Sequence, residues 1–201
     1  MIAIIDYGAG NLFSVKNALD FLEEESIITA DCREIRCADA VILPGVGAFP
    51  DAMRMLREQG LAEVIKEEAH KKPLLGICLG MQMLFEKSYE FQETEGLGLI
   101  PGCVQLIDGG GLKIPHMGWN DLTVLNPCAM TENMPKGAYV YFVHSFRADT
   151  GDENISCYTI YNERIPALVH RGYVYGAQFH PEKSGAAGLE LLKNFARLVR
   201  K

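Results

Sequence analysis

Cys78 lies in Gly76-Ile77-Cys78-Leu79-Gly80, where a short apolar run at 74–77 stops and a helix-like segment begins. A glycine two residues to either side of a nucleophilic side chain is the pattern of a nucleophile elbow, a sharp strand-to-helix corner. The glycines leave room where a Cβ would strike the neighbouring strand or the start of the helix. A helix N-terminus behind the cysteine would favour thiolate over thiol. A cysteine nucleophile needs a base, and the base needs a group that orients it. His180 and Glu182 in Gln178-Phe179-His180-Pro181-Glu182-Lys183 meet that need. Pro181 biases His180 towards an extended backbone, and residues two apart in an extended segment share a face. Acyl transfer also needs an oxyanion hole. One donor is the N–H of Leu79, and the other comes from the Pro44-Gly45-Val46-Gly47 turn, Val46 or Gly47. Gln82, one helical turn beyond Cys78, leans back towards it and can reach a bound substrate.

Each signal has an ordinary alternative. His-x-Glu pairs arise by chance, a Pro-Gly-x-Gly turn is often only a turn, and a lone glutamine is most often a solvated helix residue. The combination with the elbow carries the assignment. Of the other histidines, His70 reads as a solvated charge at a helix end and His170 as structural. The cysteines at 32, 37, 103, 128 and 157 read as free thiols, since no Cys-x-x-Cys and no Cys/His cluster with zinc spacing occurs. Neither a metal nor a cofactor is expected.

The first half must position these residues. Apolar runs at 2–5, 27–30, 40–43 and 74–77 read as buried strands, with helices around Val15, Ala18, Leu19 and Leu22, around Met53, Leu56 and Leu61, and through Met81, Leu84 and Phe85. The order β-α-β-β-α-β-α predicts a parallel sheet covered on both faces. Its glycine-bearing turns at 8–11, 45–47 and 76–80 would share the carboxyl edge, where ligands of open α/β sheets bind. The second half reads as strands at 104–107, 121–125, 138–142, 155–161, 167–170 and 174–178, with a hairpin turn at Arg171-Gly172. An amphipathic helix over 188–201 closes the chain, facing the core with Leu189, Leu192, Phe195 or Ala196, and Val199. Gly109-Gly110-Gly111 is a loop without the Lys-Ser/Thr of a phosphate cradle.

A chain of 201 residues without linker or repeat predicts a single domain spanning 1–201. The net charge of −7 and the lack of a basic run argue against a nucleic-acid partner. No apolar run has the length of a membrane span. Met1-Ile2-Ala3-Ile4-Ile5-Asp6 reads as a first strand and not as a signal peptide, so the expected location is cytoplasmic.

The segments 76–82, 44–47 and Phe179-His180-Pro181-Glu182-Lys183-Ser184 resemble the class I (triad) glutamine amidotransferases. With Asp6-Tyr7-Gly8-Ala9-Gly10-Asn11, Pro115-His116-Met117-Gly118-Trp119-Asn120 and Tyr141-Phe142-Val143-His144-Ser145, the likeness narrows to the glutaminase subunits of imidazole glycerol phosphate synthases. The resemblance implies an open, mostly parallel or mixed α/β sheet flanked by helices, of flavodoxin-like type. It implies hydrolysis of L-glutamine by Cys78, His180 and Glu182, with Gln82, Gly47 and the backbone of His144, Ser145 and Phe146 gripping the substrate. Ammonia would pass to a (β/α)₈ cyclase subunit, the heterodimer partner, which makes imidazole glycerol phosphate and AICAR in histidine biosynthesis. Asn11, Met117, Trp119, Tyr141 and Lys183 would lie in loops near the catalytic edge and meet that partner. Trp119 is the only tryptophan and sits in a turn-like place, as interface anchors do; a core tryptophan under a loop is the alternative. The family pattern has tyrosine where this chain has Phe146. Rival readings are another channelling glutaminase, such as that of pyridoxal phosphate synthase, whose Gly-Gly-Glu-Ser motif is not found here. Two others are a cysteine peptidase or γ-glutamyl hydrolase on the same fold, and a flavodoxin-like binding module, which an intact Cys/His/Glu set disfavours.

Overall fold

A computed structural model describes residues 1–199. The first half runs β1 (Ile2–Ile5), α1 (Leu12–Phe21), β2 (Ser26–Thr29), α2 (Cys32–Cys37), β3 (Ala40–Gly45), α3 (Phe49–Glu58), α4 (Leu61–Ala69), β4 (Leu74–Cys78) and α5 (Leu79–Gln82). The second half adds β5 (Phe85–Ser88), β6 (Thr94–Glu95), β7 (Ile100–Leu106), β8 (His116–Asp121), β9 (Thr123–Val124), β10 (Tyr139–His144), β11 (Phe146–Asp149), β12 (Ile155–Tyr161), β13 (Glu163–Arg171), β14 (Val174–Ala177) and α6 (Gly185–Leu198).

One eight-stranded sheet, in the order β2-β1-β3-β4-β14-β13-β12-β9, forms the centre. Its first five strands are parallel, and β13, β12 and β9 continue it antiparallel, so the sheet is mixed. Alternation along the buried strands divides the core into two layers. Ile5, Val41, Leu43 and Leu74 pack with the helices α2, α3 and α4. Ile2, Ile4, Ile42, Leu75 and Ile77 pack with α1 and α6. The expected sheet covered on both faces is therefore present, and its three glycine-bearing turns follow β1, β3 and β4. Two smaller sheets lie outside it: the ribbon β8/β10 and the four strands β11-β7-β5-β6.

Several expectations need correction. A helix, α2, stands between β2 and β3, where two strands in succession were expected. It has six residues and buries only Ile35, too little for a helical period to register, and its signal is the Asp31 carboxylate accepting the Arg33 N–H at 2.6 Å. The helix after Cys78 lasts one turn. Leu84 lies in the turn that follows and Phe85 opens β5, because Met81, Met83, Leu84 and Phe85 are buried on every side and leave no period to distinguish helix from strand. Met117, Trp119 and Tyr141 lie in strands of the ribbon, not in loops, and Gly118 pairs with Phe142 across it. The last helix begins at Gly185. Leu191 joins Leu192, Phe195 and Ala196 in its buried face, and Leu189 and Val199 are partly buried. Residues 200 and 201, at the end of the helix expected over 188–201, lie outside the described residues. Among the described residues no helix is long and apolar enough to cross a membrane.

Candidate active site

Cys78 ends β4 with φ 56° and ψ −112°, a conformation that L-residues adopt only under constraint. The constraint is backbone contact. A Cβ on Gly80 would lie 1.8 Å from the carbonyl oxygen of Leu43, and one on Gly76 would lie 2.6 Å from the carbonyl oxygen of Gly80. Across the register, Gly45 pairs with Cys78, and its own Cβ would come within 2.6 Å of the Gly80 nitrogen. The short apolar run and its flanking glycines thus fold into a corner that fixes the thiol between β3 and β14. A one-turn helix contributes little macrodipole, so the charged neighbours of the thiol matter more than the expected dipole.

His180 supplies that charge. Its Nδ1 hydrogen-bonds to Glu182 Oε1 at 2.8 Å, and its ring lines the same cavity as the Cys78 thiol. Burial works against a charged imidazole here, yet the interactions with Cys78 and Glu182 overcome it and lift the His180 pKa to about 9. Glu182 is likewise desolvated, and the His180 and Asn11 hydrogen bonds still hold it below the usual carboxylate range. The pair meets for a different reason from the one the sequence suggested. His180 is extended, but Pro181–Lys183 forms a 3₁₀ turn, and that turn brings Glu182 back under the imidazole. The His180 backbone is pinned too: its N–H donates to Tyr141 O at 3.0 Å and its carbonyl accepts from Ser184 Oγ at 2.6 Å. Asn11 begins α1, and its Nδ2 donates to Glu182 Oε1 at 3.0 Å.

A cavity of about 340 Å³ opens over Cys78. Every residue expected at the nucleophile, the base, the oxyanion turn or the substrate lines it except Glu182, which stands behind His180: Val46, Gly47, Cys78, Leu79, Gln82, His144, Ser145, Phe146 and His180. Gln82 is buried, and its Nε2 is committed to Phe146 O at 2.8 Å and to Gln178 Oε1 at 3.0 Å. It forms a fixed wall and not a free arm. Phe146 presents its carbonyl to this network, an interaction that does not need the hydroxyl the family pattern would carry.

Glu90 also lines the cavity and was not singled out from the sequence. Its Oε2 accepts the N–H of Phe49, the first residue of α3, at 2.7 Å. Burial raises its pKa and that backbone bond opposes the rise. Glu90 stands in an acidic stretch (residues 86–95) with no motif around it, so nothing local separates it from a solvated face.

The ribbon β8/β10 forms one side of the site. Its inner residues are His116, Asn120, Phe142 and His144; the outer ones include Met117, Trp119, Tyr139 and Tyr141. Met117 is 61% exposed and Trp119 53%, and the Trp119 and Tyr141 rings meet edge-on at 6.0 Å. Trp119 is thus a surface residue and not a core one. Val143, on the same outer face, lines the cavity, so this aromatic surface runs up to the cavity mouth. Lys183 lies in the 3₁₀ turn beside the site, exposed. Asn11 points instead at Glu182.

Comparison with known proteins agrees with this architecture. The family model described as "Glutamine amidotransferase class-I" matches residues 3–199. The imidazole glycerol phosphate synthase subunit HisH of Oceanobacillus iheyensis is 50% identical over 202 residues, covering all of both chains. The HisH subunit of Bacillus thuringiensis (strain Al Hakam) is 50% identical over 200 residues, 99% of this chain and 95% of the relative. A crystal structure of a glutamine amidotransferase superposes with a TM-score of 0.78 at 20% identity over the full length of both chains. A chain of PurLQS from Thermotoga maritima gives 0.73 at 23% identity, over 98% of this chain and 97% of its own. With a family match across nearly its whole length and half-identity to HisH subunits from end to end, this chain belongs to the class I glutamine amidotransferases, among the HisH subunits of imidazole glycerol phosphate synthase.

Proposed function

We propose that Cys78, His180 and Glu182 hydrolyse L-glutamine to L-glutamate and ammonia, which passes directly to a (β/α)₈ cyclase subunit. The carrying observation is that Cys78 and His180 line one cavity, with His180 Nδ1 bonded at 2.8 Å to Glu182 behind it. With Nδ1 bonded to Glu182, Nε2 is the nitrogen that serves the thiol. The thiolate attacks the side-chain amide carbon, and the developing oxyanion is received by the N–H of Leu79 and by the Val46–Gly47 turn. His180 gives a proton to the departing nitrogen, which leaves as ammonia, and the glutamyl thioester remains. His180 then takes a proton from water as it attacks the thioester, and glutamate and the thiolate are released.

The cavity walls suit the rest of the substrate. The Glu90 carboxylate is the group for the α-ammonium, and the backbone of Ser145 and Phe146, fixed by Gln82, is the surface for the α-carboxylate end. The outer face of the ribbon, with Met117, Trp119 and Tyr141, together with Lys183 and the Asn11 turn, is the surface offered to the cyclase subunit. Aromatic side chains of this kind anchor interfaces, and Val143 links that surface to the cavity that would deliver ammonia. The cyclase would use the ammonia on its phosphoribulosyl formimino-AICAR substrate to give imidazole glycerol phosphate and AICAR. The reading places the complex in the cytoplasm, with the chain acting as one domain.

A glutaminase assay with and without the cyclase subunit and its nucleotide tests this reading. Glutamate production should be slow for the chain alone and rise sharply in the complex. Equal rates in both conditions would refute the coupling, and undiminished turnover by Cys78→Ser would refute the mechanism.

A further inference from the structure

His116 and His144 form a buried pair that the hydrolytic steps do not use. His144 Nδ1 lies 2.7 Å from Phe146 O, His144 Nε2 lies 3.0 Å from His116 Nδ1, and His116 Nε2 lies 2.9 Å from Asn120 Oδ1. His116 is stacked between the rings of Phe142 and Tyr161, at centroid separations of 4.8 and 4.1 Å, so neither of its nitrogens can turn elsewhere without breaking that packing. The series can be counted in protons. Phe146 O is a carbonyl and only accepts, so His144 must carry its proton on Nδ1. Neutral His144 Nε2 then accepts, so His116 must donate from Nδ1. Neutral His116 Nε2 in turn accepts, and it faces an amide oxygen, which also only accepts. Three bonds need three protons, and two neutral imidazoles supply two.

A second proton on His116 would close the count, but burial drives both rings away from charge: His116 is held below the ordinary histidine value and His144 is brought to about 3. His180, whose charge acts on His144, already holds the positive charge of this region. The amide of Asn120 has the same outline when turned by 180°, which puts Nδ2 and its protons on His116 Nε2. We infer that Asn120, His116 and His144 form a neutral, one-directional hydrogen-bond relay, Asn120 Nδ2–H to His116 to His144 to Phe146 O, that positions the substrate wall of the cavity from the ribbon.

Each link has a consequence. Phe146 O receives two donors, His144 Nδ1 and Gln82 Nε2, which saturate its lone pairs and fix the Phe146–Arg147 peptide beside the cavity. Asn120 follows the exposed Trp119 on the same strand but faces inward, so the relay runs along the inner face of the ribbon, behind its aromatic surface, and ends on the wall. Asn120, His116 and His144 are positioning residues, and their effect falls on substrate binding more than on the chemical step. The inference rests on the glutaminase reading for its kinetic arm only.

The test has two arms. In the full chain with ¹⁵N-labelled histidine at neutral pH, both His116 and His144 should be neutral with the proton on Nδ1 and a bare Nε2. An imidazolium, or an Nε2–H tautomer, at His116 would overturn the relay. In the complex with the cyclase subunit, Asn120→Asp replaces the donor with a charged acceptor and forces a proton onto His116 Nε2. The KM for glutamine should then rise about tenfold with kcat changed less than about threefold, the equivalent of one lost positioning bond. An unchanged KM, or equal losses in kcat and melting temperature, would reject the positioning role. Should Asn120→Asp not fold, the tautomers of the unaltered chain still decide the matter. A complex that hydrolyses no glutamine at all would fail the glutaminase reading and leave the tautomer assignment standing.

Discussion

The two halves of the site are held by different physics. Cys78 is set by steric fit: β3, β4 and the one-turn helix approach so closely that Gly45, Gly76 and Gly80 have no room for a Cβ, and the backbone itself is the mould. His180, Glu182 and the substrate wall are set by hydrogen bonds between side chains and backbone, from Asn11, Ser184, Tyr141, Gln82 and His144. The first kind of positioning yields to nothing small. The second can be tuned bond by bond, and it is the kind joined to the exposed ribbon β8/β10. A partner seated on that ribbon would act on the base and the wall, and on the nucleophile through Val143 O, which the Cys78 thiol contacts at 3.9 Å.

The largest expected effect removes the nucleophile without disturbing its mould. Cys78→Ser should lower glutaminase turnover in the complex by on the order of 10⁴-fold, because a serine hydroxyl is a far weaker acid and nucleophile than a thiol. The melting temperature should stay within about 2 °C of the parent, since one sulfur is exchanged for an oxygen. A variant that loses stability as well would mean that the cysteine itself, and not the glycines, sets the corner.

Gly80→Ala attacks the mould. The new methyl would meet the Leu43 carbonyl at 1.8 Å, and the contact is with backbone that cannot swing aside. The cost should be at least about 3 kcal/mol, or a fall of roughly 6–12 °C in melting temperature for a chain of this size. Denaturant unfolding measures it directly. A near-normal melt would show that the edge between β3 and the one-turn helix can open, and the contrast between the two halves would weaken.

That contrast also explains what could be read in advance. The elbow was legible because steric demands write glycines close together in the chain: Gly76 and Gly80 each stand two residues from Cys78. His180 and Glu182 were legible because they are two residues apart, although the 3₁₀ turn that joins them was not foreseen. The main strands were legible from apolar runs, and α2 was not, because one buried isoleucine makes no pattern. Bonds between distant residues left no local trace. Glu90 reaches Phe49, Asn11 reaches Glu182, and His116 reaches His144 only through the β8/β10 pairing. The short strands β5, β6 and β11 were missed for a similar reason, since their pairing with β7 and with one another stabilises segments of little individual character.

Trp119→Ala tests the outer face of the tunable half. The ring is about half exposed and stacks edge-on with Tyr141, so its loss should shift the melting temperature by less than about 2 °C. Affinity for the cyclase subunit should fall about 30-fold, near 2 kcal/mol, as for an aromatic anchor. Sedimentation across a concentration series would report the change. Unchanged affinity would remove Trp119 from the interface and detach the ribbon from partner recognition.

Asn11→Ala gives the smallest effect and the sharpest test, because Asn11 comes from the rigid half and acts on the tunable one. It begins α1 but its side chain makes no capping bond, so its removal should leave the helix and the melting temperature nearly unchanged. What is lost is a bond to a buried carboxylate, Nδ2 to Glu182 Oε1, together with the Ser14 hydroxyl's bond to Asn11 Oδ1 at 2.8 Å. Such bonds contribute about 1.5 kcal/mol, which corresponds to roughly a tenfold fall in kcat/KM. The bond also helps to hold the Glu182 pKa low, so without it the pKa rises and the carboxylate is neutralised sooner on acidification. The acid limb of the kcat/KM profile should therefore move to higher pH in the variant. A tenfold loss with an unmoved acid limb would assign Asn11 to the geometry of the turn alone, whereas a moved limb with an intact melt would make it the point at which the first half of the chain sets the charge of the second.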